Sequence, residues 1–251
     1  VDALRIRRPL AAPAIAVGPP WALIVGQDLG LRATLGAALG SCCVVRVVRT
    51  VAQAACELAA TPPNLVIADV TEERGVADDV FVKLETHFAS VPLIWIASPG
   101  QWAPGAREGP PSRRCAVFET PFDYRRLLGE VARLVCLPSG PSFQKPGLIS
   151  GRVIAYVSTH FGTTSVEDMA RAVQLSPGHL CRVFRGEMGV GPKDFLTRVR
   201  LEAAKCLLRE TREKVAAIAT EVGCYDAPHL ARLFRNHGCA PRAYRQADWG
   251  D

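Results

Sequence analysis

The chain has 251 residues, 49% hydrophobic and 22% charged, with a formal net charge of +6; this composition excludes a disordered or collagen-like chain and suits one or two soluble domains. Nine cysteines without a C-x-x-C pair exclude a disulfide scaffold or zinc knuckle and point to a reducing, cytosolic setting. The basic excess leans toward residues 148–251, which hold fifteen basic and eleven acidic residues, and it permits a polyanionic partner without requiring one.

In chain order, residues 1–20 read as a loosely ordered tail. Prolines at positions 9, 13, 19 and 20 break an apolar patch too short for a membrane span and unlike a secretory signal. Strands and helices then alternate. ALIV (22–25) is a short apolar run, followed by a helical stretch LGLRATLGAAL (29–39). VVRVV (44–48) is β-branched, and VAQAACELAA (51–60) is helix-prone. NLVIADV (64–70) is apolar and contains Asp69; DDVFVKLETHF (78–88) is amphipathic. PLIWIAS (92–98) and RCAVFET (114–120) are further strand candidates, and DYRRLLGEVARLV (123–135) has helical spacing at Leu127, Leu128, Val131 and Val135. Continuous apolar strands alternating with helices predict a parallel sheet covered on both faces, with function at the C-terminal strand ends. The stretch 99–113 holds four prolines and three glycines, so no regular helix is expected there. Its Trp102 either serves a partner surface or tucks against the sheet. Cys42 and Cys43 read as small residues leading into a buried strand.

LPSGPSFQKPG (137–147) holds three prolines and two glycines and reads as a linker. After it every periodic segment is helical, about seven helices in all. RVIAYVSTHF (152–161) places Val153, Ile154, Val157 and Phe161 on one face. Thr164 and Glu167 are spaced as a capping box. Ser176-Pro177 supplies an N-cap and a proline at the first helical position. DFLTRVRLEAAKCLLRE (194–210) is longer, KVAAIATEV (214–222) follows, and Asp226 is placed to cap the next helix.

This half contains a near-repeat: HLCRVFR (179–185) and HLARLFR (229–235). In each copy Leu, Val or Leu, and Phe fall at i, i+3 and i+4 and should bury. His179, Arg182 and Arg185, and then His229, Arg232 and Arg235, fall on the opposite face. Each copy follows a short amphipathic helix and a turn, and each closes on Gly-x-x-Pro, at Gly189–Pro192 and Gly238–Pro241. A short helix, a turn and a second helix with an arginine-bearing outer face is the helix-turn-helix arrangement. Arginine donates bidentately to guanine and also pairs with phosphate. Two such units on one central helix fit successive major grooves about 34 Å apart.

Over 148–245 the chain resembles the DNA-binding domain of AraC/XylS-type transcriptional regulators, on the motifs VEDMARAVQLSPGHLCRVFRGEMGVGPKDFLTRVRLEAAKCLLRET and VAAIATEVGCYDAPHLARLFRNHGCAPRAYR. The resemblance places recognition helices at 177–186 and 227–236. It puts base-reading positions at Gly178, Cys181 and Arg182, and at Ala227, Pro228, Ala231 and Arg232. Most of these side chains have little hydrogen-bonding capacity. Direct readout is therefore expected from Arg182 and Arg232, helped by His179 and His229, with Ala231 against a thymine methyl and DNA shape supplying the rest. Arg185, Lys193, Arg235 and Asn236 are expected at phosphates. Cys224 replaces the family's usual phenylalanine after the turn glycine, which would loosen the second helix pair.

Residues 21–136 resemble a response-regulator receiver domain, on ALIVGQD, LVIAD and ETPFDYRRLL. The resemblance makes Asp69 the phosphoacceptor. It also implies an acidic pair for Mg²⁺, a lysine and a Thr/Ser. Those positions hold Gly26 and Gln27, Thr120 and Ala97, with Asp28 beside them, so the site is expected to be degenerate and not to switch by phosphorylation. The fold expected is a tail (1–20), a doubly wound (βα)5 pseudo-receiver (21–136), a linker (137–147) and an all-α domain with two helix-turn-helix units (148–248). The function expected is bacterial-type, cytoplasmic regulation of transcription. The partners implied are double-stranded DNA, a second copy through the N-terminal domain, and RNA polymerase or another regulator. No membrane, metal or cofactor is expected, and without a Walker loop, G-x-G-x-x-G or nucleophile elbow neither is an enzyme. Two further readings stand beside this one. One is a ligand- or protein-sensing α/β module with a pocket at Gly26, Asp69 and Thr120; the other is a phosphorylated response regulator using Asp69.

Overall fold

The computed structural model of the chain describes residues 20–40, 43–50, 52–54, 62–71, 91–101, 115–135, 146–236 and 238–248. Five strands, β1 (Trp21–Val25), β2 (Val44–Val48), β3 (Leu65–Asp69), β4 (Leu93–Ala97) and β5 (Cys115–Glu119), form one sheet in the order β2-β1-β3-β4-β5, parallel throughout. The register sets Ile24 beside Ile67 and Ile67 beside Ile94. Alternate residues feed opposite faces, so continuous apolar runs are buried on both. Ala22, Ile24, Leu65, Ile67, Ile94 and Ile96 lie in one cluster, and Leu23, Val25, Val66, Ala68, Leu93 and Trp95 in another. Residues 52–54 are helical and give Ala54 to the second cluster. The rest of the helix expected over 51–60, the helix expected over 78–88, Cys42 and Trp102 lie outside the described residues, as do positions 137–145 of the expected linker.

The first cluster is covered by α1 (Leu29–Leu39) and α2 (Tyr124–Val135). In α2, Leu127, Leu128, Val131 and Leu134 are buried, and Leu134 rather than Val135 completes the face. Every residue of α1 from Gly30 to Leu39 is buried. Apart from Arg32 and Thr34 its sequence is apolar on all sides, and a helix of that kind must be enclosed. The sheet covers one side. The other side meets α3 (Leu148–His160) and α6 (Pro192–Glu210) from the second half of the chain. The first cluster therefore runs without a break from Ile24 and Leu35 through Val153 to Val199, Phe184 and Phe234. Glycine is required where α1 and α3 cross, because a Cβ at Gly30 would come within 1.9 Å of the Ser158 carbonyl oxygen. Beside this crossing the buried Tyr124 hydroxyl is hydrogen-bonded to Ser158, and burial drives its pKa well above the ordinary phenol value despite that bond.

One charge lies inside this layer. The Arg32 side chain on α1 is 1% exposed and faces Glu210, 11% exposed, at the end of α6. Arg32 Nη1 donates to Glu210 Oε1, and Nη2 donates to Oε2 at 3.0 Å. Burial opposes the charge on Arg32, but the Glu210 hydrogen bond and the neighbouring negative charges outweigh it and raise the pKa above the ordinary arginine value. Cys206 lies one turn before Glu210, and burial pushes its thiol up to about 12; it stays neutral, leaving Glu210 as the counter-ion.

The remaining helices are α4 (Val166–Ala172), α5 (Pro177–Met188), α7 (Val215–Glu221), α8 (Ala227–Arg235) and α9 (Pro241–Asp248). Removing one partner of a buried ion pair leaves an uncompensated charge, which typically costs about 3–5 kcal/mol. Glu210→Ala should therefore lower the unfolding free energy by about 3 kcal/mol, and Arg32→Met with Glu210→Leu should recover most of the loss. Equilibrium urea denaturation of the two variants checks both outcomes.

Candidate nucleic-acid interface

Two helix pairs, α4–α5 and α7–α8, flank the central helix α6. Both are closed by the same backbone bond: Leu175 N–H donates to the Ala170 carbonyl at 2.9 Å, and Cys224 N–H to the Ala219 carbonyl at 2.8 Å. Met169 and Ala170 bury in the first pair, Ile218 and Ala219 in the second. Both second helices begin on a side-chain cap, with proline at the first or second helical position. Ser176 Oγ accepts from His179 N–H at 3.3 Å, and Asp226 Oδ1 accepts from His229 N–H at 2.6 Å. The caps are those the sequence predicts. The expected capping box at Thr164 and Glu167 is displaced by one residue. Ser165 and Asp168 form it instead, with Asp168 N–H donating to Ser165 Oγ at 3.2 Å and Ser165 N–H to Asp168 Oδ2 at 3.0 Å. Thr164 is buried, and its carbonyl is taken by Arg200.

The duplicated heptapeptides split as their spacing requires. Leu180 and Phe184 are buried, as are Leu230 and Phe234, while Val183 and Leu233 are half-buried. Phe184 packs on Phe195 of α6 with ring centroids 5.5 Å apart, and Phe234 meets Tyr244 of α9 edge-on at 5.6 Å. On the outer face of α5, Gly178, His179, Cys181, Arg182 and Arg185 are all exposed. On α8, Pro228, Arg232 and Arg235 are exposed and Ala227, His229 and Ala231 half-buried; Asn236, just past the helix, is exposed. Lys193 is exposed at the start of α6. The two copies also differ at the histidine. His229 Nδ1 accepts from Tyr225 N–H at 3.3 Å, which leaves Nε2 as the ring's donor.

Tyr225 belongs to a turn and to no helical period, so no pattern in the sequence marks it. It is 92% exposed and borders a cleft of about 480 Å³ together with Asp226, Pro228, His229, Arg232 and Arg235. Arg200 was missed for a different reason: its partners are remote backbone atoms. Its Nε donates to the Phe161 carbonyl and its Nη2 to the Thr164 carbonyl, both at 2.9 Å, which ties α6 to the turn before α4. That turn also touches the other pair. Gly223 has φ +78, and a Cβ there would come within 2.1 Å of the Gly162 carbonyl oxygen. Cys224 is buried beside this contact, where burial raises its thiol pKa. Glu187 of α5 caps α3 from outside, accepting from Gly147 N–H at 3.0 Å and Ser150 N–H at 3.2 Å.

At the C-terminal edge of the sheet, Gly26, Asp69 and Thr120 lie on three strand ends. Asp69 is 7% exposed, and its Oδ1 accepts from Thr71 N–H at 3.1 Å and from Thr71 Oγ1 at 2.7 Å. Gly26 lies against Asp69 so closely that a Cβ would stand 2.6 Å from the Asp69 Cβ. Asp28 caps α1, accepting from Leu31 N–H at 2.6 Å. The exposed Gln27 gives its carbonyl to Arg32 at 3.5 Å. Ala97 is fully buried, and Thr120 Oγ1 donates to its carbonyl at 3.4 Å. Ser98 Oγ donates to the Thr71 carbonyl at 3.1 Å.

Residues 169–247, which hold both helix pairs except the first three residues of α4, match the helix-turn-helix domain family. An uncharacterized HTH-type transcriptional regulator of Haemophilus influenzae is 35% identical over 83 residues, covering 33% of this chain and 28% of that protein. An HTH-type transcriptional regulator of Mycobacterium tuberculosis is 38% identical over 87 residues, 34% of each. The chain thus spans about a third of the length of these relatives. Among solved structures, the non-phosphorylated HemR receiver domain from Leptospira biflexa aligns with a TM-score of 0.40 at 20% identity, covering 48% of this chain and 98% of that one.

Hydrogen bonds from Ser165, through its side chain first and its backbone second, and from Arg171 hold the Asp168 carboxyl below the ordinary aspartate range. A depressed folded-state pKa stabilises above the unfolded value, about 4, and that contribution is lost as pH falls through the folded value. Asp168→Asn should therefore flatten the acid side of the stability profile below about pH 4 relative to wild type. Urea midpoints measured across this range test the assignment.

Proposed function

We propose that this chain is a sequence-specific DNA-binding transcriptional regulator of the AraC/XylS type, in which the two helix pairs act as tandem helix-turn-helix units. The observation that carries the reading is the equivalent outward placement of Arg182 and Arg185 on α5 and of Arg232 and Arg235 on α8, each above a buried Leu and Phe. In this mechanism α5 and α8 enter neighbouring major grooves. Arg182 and Arg232 donate to base edges, while Arg185, Arg235, Lys193 and Asn236 hold phosphates. His179 lies beside Arg182, and His229 presents its Nε2–H. Gly178, Cys181, Ala227, Pro228 and Ala231 offer little side-chain hydrogen bonding and act through close approach and apolar contact. Tyr225 packs its exposed ring on the sugar-phosphate wall beside the Arg232 cleft.

The parallel-sheet half acts in this reading as a receiver-like regulatory domain that does not use conventional aspartyl phosphorylation. No carboxylate fits at position 26 without displacing Asp69, Asp28 is committed to capping α1, Ala97 has no hydroxyl at the sensing position, and Thr120 supplies no cation at the lysine position and turns its own hydroxyl to the Ala97 carbonyl. A divalent ion would find one carboxylate where it needs several oxygen ligands. The same internal hydrogen bonds argue against a ligand pocket at Gly26, Asp69 and Thr120.

Arg182→Ala and Arg232→Ala should each cost about 1–3 kcal/mol at the selected site and relax preference at the base they read; Arg185→Ala should weaken binding to all sequences and lower the salt slope by about one. Site selection from a random duplex pool, followed by anisotropy titrations at several salt concentrations, gives all three quantities. Unchanged affinity in both Arg182→Ala and Arg232→Ala would overturn the docking scheme. Asp69→Ala, or acetyl phosphate with Mg²⁺, should leave duplex affinity within about twofold of wild type; a large effect of either restores the phosphorylated reading.

A further inference from the structure

The two halves of the chain do not close completely against each other. Beside the Arg32–Glu210 pair, between the β2 edge of the sheet and α6, lies a cleft of about 600 Å³. One wall belongs to the sheet half. Gly36 and Gly40 leave it without side chains, and Val44 and Val45 of the edge strand give it an apolar surface. Val44 is 48% exposed there, one of the few large apolar side chains open to solvent among the described residues. The opposite wall is a single stripe of α6, where Arg198, Glu202, Lys205 and Arg209 recur at helical spacing, with Tyr244 of α9 at its end. Lys205 Nζ donates to Glu202 Oε1 at 2.7 Å, and the Arg209 guanidinium lies 5.0 Å from the centre of the Tyr244 ring. Three cations facing one carboxylate leave this wall positive, across from a wall of glycine and valine.

We propose that this cleft is a binding site for a small organic anion with an apolar body. Its carboxylate is received by Arg198 and Lys205, and its body lies over Val44 and Val45. The volume falls within the range of small-molecule sites, which pair apolar lining with a few charged groups that fix orientation. An amine of the same shape meets the positive wall, and a neutral amide forfeits the charge-assisted hydrogen bonds. Because the walls come from opposite ends of the chain, the ligand bridges the sheet half and the helical half where α1 meets α6. The inference goes beyond DNA binding, and its test contains no DNA, so the two stand or fall separately.

The experiment is isothermal titration calorimetry of the full chain with three probes on one carbon skeleton: 4-phenylbutyrate, 4-phenylbutyramide and 4-phenylbutylamine. The acid should bind saturably at millimolar concentration or below, with the amide and amine at least about tenfold weaker. Arg198→Gln and Lys205→Gln, both on partly exposed side chains, should each lower the affinity of the acid at least about fivefold, and Val44→Asp, which puts a carboxylate on the exposed apolar wall, should abolish binding. Absence of saturable heat with the acid, equal binding of all three probes, or undiminished binding in Arg198→Gln and Lys205→Gln would each overturn the proposal.

Discussion

A guanidinium cannot remain in an apolar helix layer without a counter-charge, and Arg32 finds its own on Glu210, 178 residues further along the chain. The pair fixes more than itself. α1 is enclosed by the sheet on one side and by α3 and α6 on the other, so its burial depends on the presence of both halves. With the charge satisfied, the rest of α1 can be built from small residues. Gly30 allows the Ser158 carbonyl to approach, and the alanines and leucines fill the layer. Desolvation makes such a pair a weak source of net stability, while losing either partner strands the other as an uncompensated buried charge. Only one seating of α1 on α6 brings Glu210 to Arg32. The consequence is a continuous apolar core in a chain whose sequence reads as two bodies joined by a linker.

Within the helical half the organising element is α6, nineteen residues long and hence about 28 Å. It receives Phe184 of the first helix pair on Phe195. Arg200 holds the turn before α4, and that turn bears on Gly223 of the second pair through backbone atoms. A contact made by backbone leaves no rotamer to relax. The spacing of the two arginine-bearing helices is therefore set by main-chain geometry and a single central rod.

Local patterns in the sequence carry the elements well. The apolar runs become β1, β3 and β4, the duplicated heptapeptides divide into buried and exposed faces, and Ser176 and Asp226 cap as expected. These features depend on neighbours three or four residues away. The capping box slipped by one residue because Thr164-Ser165 and Glu167-Asp168 offer two registers; the burial of Thr164 under Arg200 selects the second, and no local rule contains that fact. Arg32 reads as one charge in an apolar helix, and nothing nearby points to Glu210. The second function of α1, facing the helical half as well as the sheet, is invisible for the same reason. Arg200 escapes a motif search because it binds main-chain carbonyls, and Tyr225 because turns carry no period. The residue types around Asp69 were legible in the sequence, and the structure adds how closely they pack: a Cβ at Gly26 would stand 2.6 Å from the Asp69 Cβ.

The α1–α6 contact has a mechanical consequence. A disturbance entering from the sheet half, whatever its chemical origin, first meets the shaft that carries both arginine faces and only afterwards the faces themselves. Such an input turns or shifts the pair in unison, as the jaws of a fixed calliper move with its handle. The response available to this architecture is a common shift of the two helix pairs, rather than the movement of one while the other holds.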